Sequence, residues 1–241
     1  VLADVHGNVL ALEAVLADAR ALGFDALIDL GDSVSGPLWP AESWAALQAA
    51  GAYCIRGNHD RIVGCDARDG MPAADAFAHD RLGAEERASL AALPGTMRLG
   101  PVLAVHGTPA SDMDYLMHEA KESGMRELGA DALAAALGDT GDATLVLCGH
   151  THRAHLARLA DGRLVMNPGS VGMPAYTWDQ PVPHRMEAGS PHARWALVEE
   201  RAEGWHIQHR MVPYDWARAA DEAAHNGRPG WATWLATGFA A

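Results

Sequence analysis

The sequence has 241 residues, 49% apolar and 20% charged, with a formal net charge of −13. This composition excludes a disordered chain and is ample for one globular domain over residues 1–241 with a buried core. The acidic balance, without a basic stripe, counts against a long nucleic acid as partner, and no apolar run approaches the ~20 residues of a membrane helix.

No charged-then-apolar leader pattern stands at the N-terminus. Cys54, Cys65 and Cys148 lack CxxC spacing and form an odd, sparse set. They argue against a disulfide framework and for a reducing, cytoplasmic setting.

In chain order, residues 1–3 read as the tail of a strand that ends at Asp4. Leu12, Val15, Leu16, Ala19 and Leu22 recur at helical spacing, with Asn8 as N-cap and Gly23 as the stop. A second strand over 26–30 ends at Gly31-Asp32. An alanine-rich helix over 40–50 begins at Pro40. A third strand over 53–56 ends at Gly57-Asn58-His59-Asp60. Residues 61–100 interrupt this rhythm, with one helix over 84–93. A strand over 102–105 ends at His106, and 107–129 reads as a loop with a short helix. A helix over 130–137 precedes a strand over 144–148 that ends at Gly149-His150-Thr151-His152.

The remainder is more antiparallel. Asp161-Gly162 joins strands over 155–159 and 164–166, a strong hairpin signal. Residues 193–199 and 205–212 form a second hairpin. The Pro- and Gly-bearing stretch 177–191 reads as a long surface loop, and 215–224 and 231–236 as terminal helices.

Five strand-like runs thus end in metal-ligand residue types: Asp4 and His6, Asp32, Asn58 with His59 and Asp60, His106, and His150 with His152. Any one of these alone is ordinary turn or cap chemistry. Independent turns give no reason for all five to end this way, and strand C-terminal edges are where open α/β sheets place their sites. Two divalent cations ~3.5–4 Å apart can clamp the shielding oxygens of a phosphate ester and bring a bridging water to a pKa of about 7. Cations that close need a shared carboxylate, and Asp32 is the natural bridge. Histidine, Asp and Asn donors suit borderline metals. A site of net positive charge inside an acidic protein attracts an anion.

Asp4-Val5-His6-Gly7-Asn8, Gly31-Asp32, Gly57-Asn58-His59-Asp60, His106-Gly107 and Gly149-His150-Thr151-His152 together resemble the calcineurin-like metallophosphoesterases. Asn167-Pro168-Gly169-Ser170-Val171-Gly172 and Val212-Pro213-Tyr214-Asp215 are similar to its small prokaryotic branch, often labelled phosphodiesterase or diadenosine-tetraphosphatase-like. The resemblance implies an α/β fold: two mixed β-sheets packed as a sandwich and flanked by α-helices. It implies that Asp4, His6, Asp32 and His152 hold one metal and that Asp32, Asn58, His106 and His150 hold the other. The ions would be Mn²⁺ first, with Fe²⁺/Fe³⁺, Zn²⁺ or Ni²⁺ as alternatives. It implies a bridging hydroxide as nucleophile, with His59 assisting the leaving oxygen and Asp60 orienting the His59 ring.

The implied activity is hydrolysis of small phosphate esters or nucleotides, with a phosphodiesterase favoured and a homo-oligomer left open. Phosphomonoesterase or phosphoprotein phosphatase activity is the alternative, and a non-catalytic scaffold the lesser one. Gly36 stands four residues after Asp32, where protein phosphatases of this family usually carry an Arg that grips phosphate. This counts against a phosphoprotein substrate. Arg56, the loop residues Tyr115, His118, Lys121 and Arg126, and the rings of Trp178, His184 and Trp195 are candidates for substrate contact. His79, His206 and His225 read as surface residues.

Overall fold

The computed structural model describes residues 1–122 and 124–240. The first half runs α1 (Val9–Leu22), β1 (Ile28–Asp29), α2 (Pro40–Ala49), β2 (Tyr53–Cys54), α3 (Asn58–Val63), α4 (Ala73–His79), α5 (Ala84–Ala91), β3 (Thr96–Leu99) and β4 (Val102–Val105). Then come β5 (His118–Lys121), β6 (Gly124–Glu127), α6 (Ala130–Leu137), β7 (Leu145–Leu147), β8 (His155–Arg158) and β9 (Leu164–Asn167). The chain finishes with β10 (Ala175–Trp178), β11 (His184–Glu187), β12 (Ala193–Arg201), β13 (Gly204–Val212), α7 (Trp216–His225) and α8 (Pro229–Thr237). Asn8 caps α1 as the sequence predicts, its side chain accepting from the Ala11 amide.

Two mixed sheets carry the fold. One has the order β3-β4-β7-β9-β8, with β4, β7 and β9 parallel. In the other, the N-terminal segment lies between β1 and β12. The Leu2 amide donates to Ile28 O and the Leu30 amide to Leu2 O, while Val1 and Ala196 exchange both backbone bonds. β2 extends one edge and β13 the other.

Side-chain alternation explains how the sheets stack. Ala104, Leu145, Leu147 and Met166 face Ala3, Ile28, Leu30 and Ala196 across the sandwich. The intervening residues Val105, Val146 and Val165 face outward onto Leu133 and Leu137 of α6. Likewise Leu2, Cys54 and Trp195 face outward onto Leu12, Val15 and Leu16 of α1 and Leu47 of α2. The central strands β4, β7 and β9 are therefore apolar on both faces, as strands covered on both sides must be.

Three expectations need correction. The stretch 107–129 holds the β5–β6 hairpin rather than a short helix. The supposed surface loop 177–191 contains the end of β10 and all of β11, which pair in register from Ala175–Glu187 to Trp178–His184. His79 is buried at 8% exposure, at the end of α4, because that helix packs against the protein within 61–100. Among the described residues no helix is long and apolar enough to cross a membrane.

Candidate metal centre

The loops that follow the N-terminal segment, β1, β2, β4 and β7 converge at one end of the sandwich. Asp4, His6 and His152 place ligand atoms within 4.8 Å of one another, as do Asp32, His106 and His150. Asp32 Oδ1 accepts from the His59 amide at 2.9 Å, leaving Oδ2 free. That oxygen lies 3.2 Å from His106 Nε2 and 4.0 Å from His6 Nε2, within reach of both groups. Asn58 Oδ1 lies 3.1 Å from His106 Nε2. The structure thus brings together all seven residues expected to hold metal.

Backbone conformation shows how closely these loops are shaped. Asp4, His6, Asp32, His150 and His152 all have φ between 50 and 67°, and they are the only non-glycine residues with positive φ among those described. The left-handed region costs an L-residue roughly 1–2 kcal/mol. Five such residues approach the net stability of a whole domain, about 5–15 kcal/mol. They persist because neighbouring groups over-determine them, as at functional sites generally.

Gly31 and Gly57 allow two of the loops to touch. A Cβ on Gly31, whose φ is 94°, would stand 2.4 Å from the Gly57 nitrogen. One on Gly57 would stand 2.1 Å from Asp32 Oδ1. The Asn167–Met173 segment braces the other loops. Asn167 Nδ2 donates to Gly149 O, and Ser170 Oγ donates to Asp4 O.

The histidine tautomers test the fit to a cation. His6 Nδ1 donates to Ser35 O at 2.7 Å, and His152 Nδ1 donates to Met173 O at 2.7 Å. Both rings then point an unprotonated Nε2 at the other, 3.1 Å apart. His106 Nδ1 donates to Leu30 O, so its Nε2 faces the acceptors of Asp32 and Asn58. His150 donates through Nε2 to Met113 O, which turns its Nδ1 lone pair inward. Converging lone pairs repel unless a cation lies between them, and carbonyls fixing the outer nitrogen are the usual support of metal-bound histidine. The donor set fits divalent metal ions.

Electrostatics agree. Burial pushes His6 down to about 4 and His150 to about 3, and it holds His152 well below the ordinary range, so these rings stay neutral. Burial opposes the charge on His106, but in the absence of an ion Asp32 beside it raises the ring to about 10, and a bound cation would take the place of that proton. Burial also holds the Asp4 carboxyl well above the usual carboxylate range, and its Oδ2 has no hydrogen-bond partner. A cation would supply the missing charge.

Asp60 does not orient His59. Its carboxylate accepts from the backbone amides of Asp32, Ser33 and Gly57 at 2.7–3.0 Å, so it shapes the loop carrying Asp32. The partner of His59 is Asp75 on α4: His59 Nδ1 donates to Asp75 Oδ1 at 2.7 Å, and Asp75 is fully buried. Burial lowers the His59 pKa, but Asp32 and Asp75 outweigh it and raise the ring to about 9. Without an ion beside it the ring therefore favours its protonated form. Nothing in the alanine-rich context of Asp75 signals this role in sequence.

Above the ligands opens a cavity of about 570 Å³. Tyr115, Tyr176, Trp178, Trp231 and Trp234 line it, and among the described residues Lys121 is its only Lys or Arg side chain. Lys121 is already paired with Glu119 at 2.6 Å. Of the other candidates, His118 also lines the cavity. Arg126 pairs with Glu119, and Arg56 donates to Ala91 O at the strand end. Trp195 is buried under α1, and His184 shares a hydrogen bond with Tyr115. The sequence reading missed Tyr176, Trp231 and Trp234.

Comparison with known proteins agrees with this geometry. Residues 1–182 match the calcineurin-like phosphoesterase superfamily domain. A metallophosphoesterase from Sphaerobacter thermophilus is 27% identical, with a TM-score of 0.74, covering 99% of this chain and 98% of its own. Hypothetical protein PH1004 from Pyrococcus horikoshii OT3 is 21% identical, with a TM-score of 0.78, covering 100% and 98%. No curated protein matches the chain. The chain belongs to the calcineurin-like phosphoesterase superfamily and is a metal-dependent hydrolase of phosphoesters.

Proposed function

We propose that this protein is a dinuclear phosphodiesterase acting on small esters with an aromatic group, aryl phosphodiesters or nucleotides. The observation that carries the reading is the pair of ligand groups meeting at Asp32 Oδ2 beneath an aromatic-walled cavity. Asp4, His6 and His152 would hold one ion and Asn58, His106 and His150 the other, with Asp32 shared between them. Manganese is the expected ion, with iron, zinc or nickel as alternatives of the same donor preference. When bound, two such ions polarise phosphoryl oxygens and acidify a water molecule.

The remaining steps belong to side chains. His59, held by Asp75, keeps a proton on Nε2 that faces the cavity. It donates that proton to the departing oxygen or stabilises its growing charge. Asp75 fixes the ring through Nδ1, so Nε2 alone is left for substrate. Asp60 holds the loop that presents Asp32.

The cavity supports the diester preference. A diester carries one negative charge and a monoester two, and among the described residues the cavity wall offers no unpaired Lys or Arg for the second. Trp231 and Trp234 on α8 and Trp178 on β10 line the cavity, and an indole that stacks on a planar group contributes about 0.5–1.5 kcal/mol beyond burial.

Asp32→Asn tests the reading. The variant should lose both ions together and all diesterase activity on a nitrophenyl diester. Full retention of two ions would remove Asp32 as the bridge and with it the dinuclear scheme.

A further inference from the structure

Beside the cavity, apart from the two ligand groups at its floor, a third set of metal-ligand side chains converges. His118 opens β5, Glu127 closes β6 and His155 opens β8. One ligand atom from each lies within 4.8 Å of the others. His118 and Glu127 are direct cross-strand partners in the hairpin, which places both side chains on one face. His155 comes from the five-stranded sheet. Its ring meets that of His118 edge to face at 5.5 Å, and its Nδ1 lies 3.5 Å from Glu127 Oε1.

His118 supplies a second, independent sign. The residue is only 2% exposed, and its Nδ1 is buried without a hydrogen-bond partner. A buried polar nitrogen left unsatisfied is costly and rare in a folded protein. None of the residues that cap the four floor histidines reaches it. A cation bound through this nitrogen would satisfy it.

We propose that His118, Glu127 and His155 form a third metal site, which takes a divalent first-row ion and fastens the β5–β6 hairpin to β8. Two imidazoles and a carboxylate are a donor set that zinc accepts, with nitrogen ligands at about 2.0–2.1 Å and room for water as the fourth ligand. Glu127 is exposed, so its carboxylate is free to swing the remaining distance. Glu119, Ala120 and Lys121 of the same hairpin line the cavity. An ion here would therefore fix one wall of the substrate site without touching the reacting atoms. The inference does not depend on the dinuclear scheme.

Zinc stoichiometry of the full chain, by equilibrium dialysis and elemental analysis, tests it. Glu127→Gln and His155→Ala change side chains at or near the surface, so the fold should survive, as unchanged melting in chelator would verify. Each should lose the same single equivalent of Zn²⁺ and keep the floor ions. His206→Ala should lose none, because among the described residues His206 pairs only with Glu203, at 3.0 Å. Asp32→Asn should lose floor zinc yet keep the equivalent that Glu127→Gln abolishes, which separates failure of one site from failure of the other. Wild-type stoichiometry in both Glu127→Gln and His155→Ala, or an equal loss in His206→Ala, would overturn the proposal.

Discussion

His6 and His152 turn unprotonated Nε2 atoms toward each other across 3.1 Å, although they are 146 residues apart in the chain. Each is locked in that tautomer by a backbone carbonyl, Ser35 O for one and Met173 O for the other. Without a cation the pair is repulsive, and the Asp32 carboxylate adds negative charge beside it.

Metal removal should therefore destabilise the fold as well as abolish activity. Ligand binding to the native state alone stabilises by about 4 kcal/mol at a thousandfold excess over Kd. Thermal melting with and without Mn²⁺ after chelation should show a rise of several degrees. An unchanged midpoint would mean the ligand loops are already satisfied without an ion.

Asp75 is expected to act only through His59. Asp75→Ala and His59→Ala should each lower kcat about 10²-fold with metal content intact. The double variant should be little worse than either alone, since residues acting as a unit are not additive. An additive loss would give Asp75 a separate role.

The indole walls set substrate choice. Trp231→Ala with Trp234→Ala should raise KM for an aryl or nucleoside diester by about 5- to 100-fold, matching roughly 1–3 kcal/mol of stacking per base. A small alkyl diester should be affected much less. Equal losses on both would place these residues in general packing.

Gly172 marks how tightly the brace grips the ligand loops. A Cβ there would stand 1.8 Å from Val5 O. Gly172→Ala should cost about 1–3 kcal/mol of stability through overpacking and weaken metal retention by displacing Asp4 and His6. Wild-type melting and metal content would contradict this.

Asp29 gives the protein a pH-sensitive element. Burial pushes its carboxyl up to about 7, although Ser33 donates to Oδ2. A carboxyl raised in the folded state contributes stability below its unfolded pKa, and that contribution is lost as pH rises through about 7. In chelator, Asp29→Asn should therefore melt progressively higher relative to wild type from pH 5 to 8. A difference independent of pH would show that Asp29 keeps an ordinary pKa in the fold.

The floor of the site was legible in the sequence because its ligands must sit where strands end, and Gly-Asp, Gly-Asn-His-Asp and Gly-His-Thr-His announce such ends. Continuous apolar runs likewise exposed β4 and β7, and Asp161-Gly162 marked the β8–β9 hairpin. Asp75, Trp231 and Trp234 were not legible, since each reaches the site through tertiary packing of a helix whose own pattern is ordinary. The β10–β11 hairpin was hidden because its connection, rich in Pro, lacks an Asn-Gly or Asp-Gly turn. Asp60 misled for the opposite reason. Adjacency in sequence suggested the His59 ring as its target, but entering α3 turns its carboxylate back onto backbone amides.

Val1 and Ala196 exchange backbone bonds across a separation of 195 residues, and Asp4 stands just beyond that pairing. The position of the first ligand is thus settled only once a strand from the far part of the polypeptide has arrived beside it. Such non-local closure is slow in folding. A fragment that ends before β12 is therefore expected to leave Asp4 without that neighbouring strand and to hold the ion at its group poorly.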